Sequence, residues 1–255
     1  MWVSNMRVFC VVAYKGTKYY GWEKQPNQIT IQEEIEKAIG QILNKPVTIY
    51  GSGRTDAGVH AKGQTFHFDI EEEKYNEGEL MYRINCVLPA SIKIISLKYL
   101  KDGSDFHARF SAVSKEYQYR ISLNAKNPFR YDESWMLKTN DFDMDLFKGA
   151  IGKFVGRHNF INFTSKEEDK DGFFREIYAI NVGFDGENEE IVVDLCGNGF
   201  MRYQIRYMVA TAVAVAMKKE ELSYIDERLN NVDKRSITAY KGHPQGLYLM
   251  KVNYK

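Results

Sequence analysis

An arginine and an aspartate two positions apart, Arg54 and Asp56, lie in the glycine-rich run Gly51-Ser-Gly-Arg-Thr-Asp-Ala-Gly58. A carboxylate at such a place can attack an electrophilic carbon, stabilise a developing cation or take a proton, and a nearby guanidinium can handle an anionic or planar substrate. Val47–Tyr50 reads as a short β-branched strand and Gln64–Phe68 as another, so the pair sits on a connection that the glycines let bend sharply. Polar groups on a loop held between rigid strands often carry function. The same residues also fit an Asx turn beside a surface arginine, and alone they favour neither reading.

Other basic and aromatic residues cluster along the chain. Tyr14-Lys-Gly-Thr-Lys-Tyr-Tyr-Gly-Trp22 follows a strand-like run, Phe106-His-Ala-Arg-Phe110 precedes a segment with Tyr117 and Tyr119, and Arg202, Tyr203, Arg206 and Tyr207 open an apolar stretch. Rings beside cations suit RNA, since bases stack on rings while arginines hold phosphates. With 17 tyrosines in the chain, many of them, Tyr99 and Tyr248 included, belong to the core instead. His60 and His107 border the loops in question and are candidates for substrate contact, whereas His67 alternates with Phe66 and Phe68 and reads as structural. The five histidines fall in no zinc-ligand spacing. No phosphate-binding Gly-Lys-Ser/Thr ending, dinucleotide fingerprint or Gly-x-Ser-x-Gly elbow is present, and the histidine spacing gives a metal mechanism little support.

The elements that must position these groups alternate between strand and helix. Arg7–Tyr14 is apolar on both faces and predicts a central strand. Thr30-Ile-Gln-Glu33 is a capping box ahead of Ile31, Ile35, Ala38, Ile39 and Ile42 at helical spacing, stopped by Lys45-Pro46. A helix over 79–87 and strands at 92–99 and 115–122 follow. The later half predicts a helix over 145–155, strands at 175–184 and 190–196, a long helix over 200–217 and a last strand at 246–252. In that long helix Arg202 and Arg206 share one face, one turn apart, and Val209, Ala212, Val213 and Ala216 form the buried stripe. Two α+β halves result, 1–124 carrying the Asp loop and 125–255 completing the site, with the connection near 124–134 where Asn124, Asn127, Pro128 and Asp132 gather.

At 255 residues, 44% hydrophobic and 27% charged, the chain has the composition of a soluble enzyme able to bury a sizeable core. A net charge of +1 gives no overall pull toward nucleic acid or membrane, although a local basic groove is compatible with it. Cys10, Cys86 and Cys196 read as reduced core thiols of a cytoplasmic protein. The start, Met-Trp-Val-Ser-Asn-Met-Arg, shows neither a signal peptide nor a span. The acidic runs 71–74 and 166–172 read as solvated loops.

Gly53-Arg-Thr-Asp-Ala-Gly-Val-His-Ala61 with Gly63 and Gln64 resembles the active-site motif of the tRNA pseudouridine synthase A family. The likeness extends in order through 14–25, Asn85 with Leu88-Pro89, 106–112, Lys115-Glu-Tyr-Gln-Tyr119, 156–160, 199–206 and 244–249, covering nearly the whole chain. The resemblance implies an α+β fold of two pseudo-symmetric halves, mainly antiparallel sheets flanked by helices, a central RNA-binding cleft and a homodimer. It further implies isomerisation of uridine in the tRNA anticodon stem-loop without metal or cofactor. Residue by residue, Asp56 resembles the nucleophile, Arg54 the group that helps turn the base out of the stack, Tyr117 the ring packed on the uracil, and Arg206 the partner of the Asp carboxylate. Leu247 would line the base pocket, and Arg202, His60 and His107 would meet substrate. Lys15, Glu23 and Asn159 depart from the family's usual residues and are expected to lie apart from the Asp, Arg, Tyr and Arg set. The competing readings are a non-catalytic tRNA-binding or chaperone protein on this scaffold, a diverged synthase with another RNA target, and an N-glycosidase that releases the base.

Overall fold

The computed structural model describes residues 6–101, 103–123, 127–139, 141–169 and 172–255. Most of the N-terminal segment considered for a signal peptide, the expected boundary at Asn124 and part of the 166–172 run lie outside them. Five α-helices and ten strands stand among the described residues, in a mixed α+β fold whose strand pairs are mostly antiparallel. The chain divides into two compact units, one running to Val113 and completed by Tyr248–Lys255, the other spanning Ser114–Leu247.

In the first unit β1 (Met6–Tyr14) pairs antiparallel with both β3 (His60–Ile70) and β4 (Ile92–Tyr99), and β2 is only Tyr50–Gly51, paired with His67 and Phe66. The run 47–49 stays outside the ladder, while β3 begins at His60, four residues ahead of its expected start. The C-terminal β10 (Leu247–Tyr254) joins β3 in parallel through Tyr248↔His60 and Leu249↔Ala61. Val8, Cys10 and Val12 are fully buried, as are Phe66 and Phe68. α1 (Ile31–Leu43) starts where Thr30 accepts the Glu33 N–H at 3.4 Å and ends on Asn44 in the left-handed region. α2 (Glu77–Val87) is capped by Asn76, and Asn85 ties it to β4 by exchanging two hydrogen bonds with Ile94, of 2.8 and 2.9 Å. Cys86 is exposed on α2, so only Cys10 is a core thiol in the full sense; Cys196 is half-buried.

The second unit carries the order β5 (Ala112–Ser122), β9 (Glu190–Gly197), β8 (Phe174–Asp185), β7 (Gly156–Asn159), all antiparallel, with β6 (Trp135–Met136) parallel to the end of β5. Its helices are α3 (Met144–Gly152), α4 (Gln204–Ala216) and α5 (Ser223–Asn230). α4 is buried at every position, not along one stripe: its small residues Ala210, Ala212, Ala214 and Ala216 let neighbours approach on all sides. Nor does it begin at 200. Tyr203 takes φ +63°, which breaks the helical path, so Arg202 precedes the helix and does not share its face with Arg206. Buried Glu190 receives hydrogen bonds from Arg120, Arg130 and Ser134, which fixes the start of β9. The 166–172 run is not wholly solvated either: the Asp169 carboxylate is 2% exposed and paired with Arg175 at 2.8 Å and Lys166 at 2.5 Å. Among the described residues no helix is long and apolar enough to cross a membrane.

Candidate active site

The Asp loop spans 52–59, between β2 and β3, and the chain fastens it at several points. The Thr55 hydroxyl shares a 2.8 Å hydrogen bond with Tyr14, whose phenol pKa is raised by burial, and the Thr55 carbonyl accepts the Trp22 N–H at 3.1 Å. Gln64, fully buried, donates to the Gly53 carbonyl at 2.8 Å and accepts from the Ser52 hydroxyl at 2.7 Å. Downstream, the Val59 N–H donates to the Asp56 carbonyl at 3.1 Å, closing a tight turn around the carboxylate-bearing residue. Asp56 itself is half-buried. The backbone is therefore pinned on both sides of half-buried Asp56, the preorganisation a nucleophile or charge-stabilising group requires.

His60 follows this loop as the first residue of β3. It is 2% exposed, its Nδ1 accepts the Gly16 N–H at 3.1 Å, and its ring stacks on Tyr248 at 4.6 Å. Arg54 points outward, 71% exposed, and donates to Glu23 at 2.7 Å. This corrects the expectation that the three departures lie apart from the proposed set, since Glu23 meets Arg54 directly. Asn159, by contrast, is local support: its Oδ1 accepts the Ile161 N–H at 3.0 Å and its amide donates to the Gly172 carbonyl at 3.2 Å. His107 belongs to a ring cluster on the first unit, 4.6 Å from His67, 4.4 Å from Phe110 and 5.9 Å from Tyr50. Burial, with Arg7 and Arg109 nearby, lowers its pKa.

In the second unit Tyr117 stands half-buried on β5, opposite Leu195, with its ring edge-on to Phe200 at 5.2 Å. Arg206, 8% exposed, lies in the first turn of α4 and donates through Nε to the Gly242 carbonyl at 2.8 Å, while the Gly242 N–H returns a 3.0 Å bond to the Arg206 carbonyl. Tyr119, fully buried, supports that turn by donating to the His243 carbonyl at 2.6 Å. A Cβ on Gly242 would come within 2.5 Å of the Tyr119 hydroxyl, so only glycine allows this approach. Leu247, 6% exposed, follows the same turn. Arg202 is exposed and donates to the Tyr203 hydroxyl at 3.1 Å. Residues that sequence reading passes over are Gln64 and Tyr14 as loop anchors and Lys241 beside Tyr203. Gln64 and Tyr14 are visible in the motifs, but their anchoring role is not, because it lies in partners distant along the chain.

A family model described as tRNA pseudouridine synthase matches residues 10–111 and 150–255. The tRNA pseudouridine synthase A of Lactococcus lactis subsp. cremoris (strain SK11) is 34% identical over 253 residues, 98% of this chain and 97% of that protein. This chain belongs to the tRNA pseudouridine synthase A family. A second relative of that name, from Exiguobacterium sp. (strain ATCC BAA-1283 / AT1b), is 36% identical over 249 residues, covering 98% of both chains. The match spans both units, so the Asp loop and the Arg206 turn fall within the family's own extent. Membership makes the protein an isomerase, a pseudouridine synthase.

Proposed function

We propose that this synthase isomerises uridines in the anticodon stem-loop of tRNA, with Asp56 as the catalytic nucleophile. The reaction breaks the C1′–N1 bond, turns the freed uracil and joins C1′ to C5; C5 gives up its proton and the freed N1 takes one up, so the RNA keeps its length and mass. The observation that carries this reading is the fastening of the Asp56 loop through Thr55, Gly53 and Val59. Arg54 stands exposed and planar, suited to filling the space left by a flipped nucleotide, an extrusion that costs a few kcal/mol. Tyr117 is assigned to pack on the uracil, Arg206 to keep the Asp56 carboxylate ionised and aimed, and Leu247 to line the base pocket. Arg202 and His107 are assigned to RNA contact, and His60, which follows the loop, to substrate contact. No cofactor enters this scheme, and the working form is a cytoplasmic homodimer that divides tRNA recognition from catalysis.

The test is site-resolved pseudouridine mapping on unmodified tRNA transcripts incubated with purified protein. New pseudouridine in the anticodon stem-loop, with no free uracil, supports the reading. Free uracil points to a glycosidase, and unchanged uridines in bound tRNA point to another RNA substrate or to a binding-only protein. Diluting the protein until it dissociates is expected to lower activity per site, and a fully active monomer would overturn the dimer assignment.

A further inference from the structure

Tyr203 faces three cations at once. The guanidinium carbons of Arg202 and Arg206 and the ammonium of Lys241 each lie 4.9 Å from its ring centroid. Each cation gains from the ring, yet all three lie within about 10 Å of one another and repel. Two further features add positive potential. Tyr203 immediately precedes α4, whose N-terminal end carries the positive pole of a thirteen-residue helix. Arg235 reaches the same region, donating to the Thr164 and Lys166 carbonyls, while the Thr164 hydroxyl and Ser165 N–H both donate to the Arg202 carbonyl.

The arrangement is built rather than loose. Tyr203 holds φ +63°, a conformation uncommon for a bulky side chain, and its hydroxyl accepts from Arg202 at 3.1 Å. The backbone beside Lys241 is held at Gly242, which exchanges two hydrogen bonds with Arg206. Among the described residues the Lys241 ammonium meets only the ring, and both Lys241 and Arg202 are exposed. Cations already covering the ring leave it a poor surface for stacking a base. What the cluster offers outward is N–H donors: a planar fork from Arg202 and a point charge from Lys241, the pair that suits the two free oxygens of a phosphodiester.

We infer that Arg202 and Lys241, both gathered on the Tyr203 ring, bind the phosphate backbone of the substrate RNA. The inference rests on the reading of tRNA as substrate and adds Lys241 and Tyr203 to the residues that meet it. Arg206 keeps its separate assignment.

The test is a salt series of tRNA binding, by fluorescence anisotropy with unmodified transcript, for wild type, Lys241→Ala, Lys241→Arg and Arg202→Ala, with thermal unfolding and pseudouridine formation measured on the same preparations. Lys241→Ala is expected to weaken binding about threefold to tenfold near 0.1 M salt and to flatten the log Kd against log salt slope by about one. Lys241→Arg restores both, Arg202→Ala behaves like Lys241→Ala, and KM for tRNA follows Kd. An unchanged slope in Lys241→Ala, with or without weaker binding, overturns the phosphate contact while leaving an active wild type's function intact. A wild type that neither binds tRNA nor makes pseudouridine overturns the functional reading and this inference together.

Discussion

Gly21→Ala probes how tightly the Asp56 loop is held. Gly21 lies at φ +92°, and a Cβ there would stand 2.7 Å from the Thr55 carbonyl oxygen and 3.2 Å from the Asp56 carbonyl carbon and the Ala57 nitrogen. Two costs add: about 1–2 kcal/mol for placing an L side chain at positive φ, and about 1–3 kcal/mol for the forced contact, since the neighbour is backbone and cannot swing away. Gly103→Ala is the matched control, because Gly103 has φ +74° but nothing within 4 Å of the added carbon. It should lose only the first cost. Thermal unfolding should therefore place Gly21→Ala below Gly103→Ala by about 2–4 °C for each kcal/mol of contact energy. Single-turnover pseudouridine formation should fall toward a hundredfold for a displacement of about 1 Å in Asp56, while Gly103→Ala keeps the wild-type rate. A Gly21→Ala protein that matches Gly103→Ala in both measurements would refute the claim that this contact sets the loop.

Protonation of His67 should weaken the fold in acid. The ring is 1% exposed and its Nδ1 accepts the Ala108 N–H at 3.2 Å, so burial first, then Arg7 and His107, hold its pKa at about 4. The unfolded chain takes up the proton near pH 6.5, so this contribution is complete above that value and is lost as pH falls toward 4, by at most about 3 kcal/mol. Urea midpoints of wild type and His67→Gln should converge from pH 7 to pH 4, and parallel curves would contradict this. Tyr119→Phe removes the donor to the His243 carbonyl and should cost about 1–3 kcal/mol in thermal unfolding; a wild-type Tm would count against the Tyr119 support. Glu23→Gln frees Arg54 from an exposed pair, so stability should stay within about 0.5 kcal/mol while KM for tRNA falls about twofold. A raised KM would show that Glu23 helps Arg54 rather than restrains it.

Periodicity and capping make most of the elements legible. Thr30 and Pro46 bracket α1, and the apolar run at 7–14 becomes β1 within one residue. The strand over 92–99 matches β4 without change. The failures have physical causes. Tyr203 carries no local sign that its backbone will turn left-handed, so helical spacing predicts a start at 200 and a shared face for Arg202 and Arg206. Their guanidiniums nevertheless converge, through the Tyr203 ring instead of through helical spacing. The short strands β6 and β7 escape reading because two to four residues hold too little pattern, and they exist by pairing with β5 and β8. Sequence spacing likewise could not show that Glu23 reaches Arg54 across 31 residues. The chemistry of Arg54 and Asp56 is visible in the glycine-rich motif, whereas the anchors Tyr14 and Gln64 require the folded chain.

In this scheme everything turns on the Asp56 carboxylate doing the chemistry. The most direct test is single-turnover pseudouridine formation by Asp56→Asn on an unmodified tRNA transcript, with tRNA affinity and thermal unfolding measured alongside. The expected result is a folded protein that still binds tRNA and forms no pseudouridine. Pseudouridine appearing at the wild-type rate would contradict the assignment of Asp56.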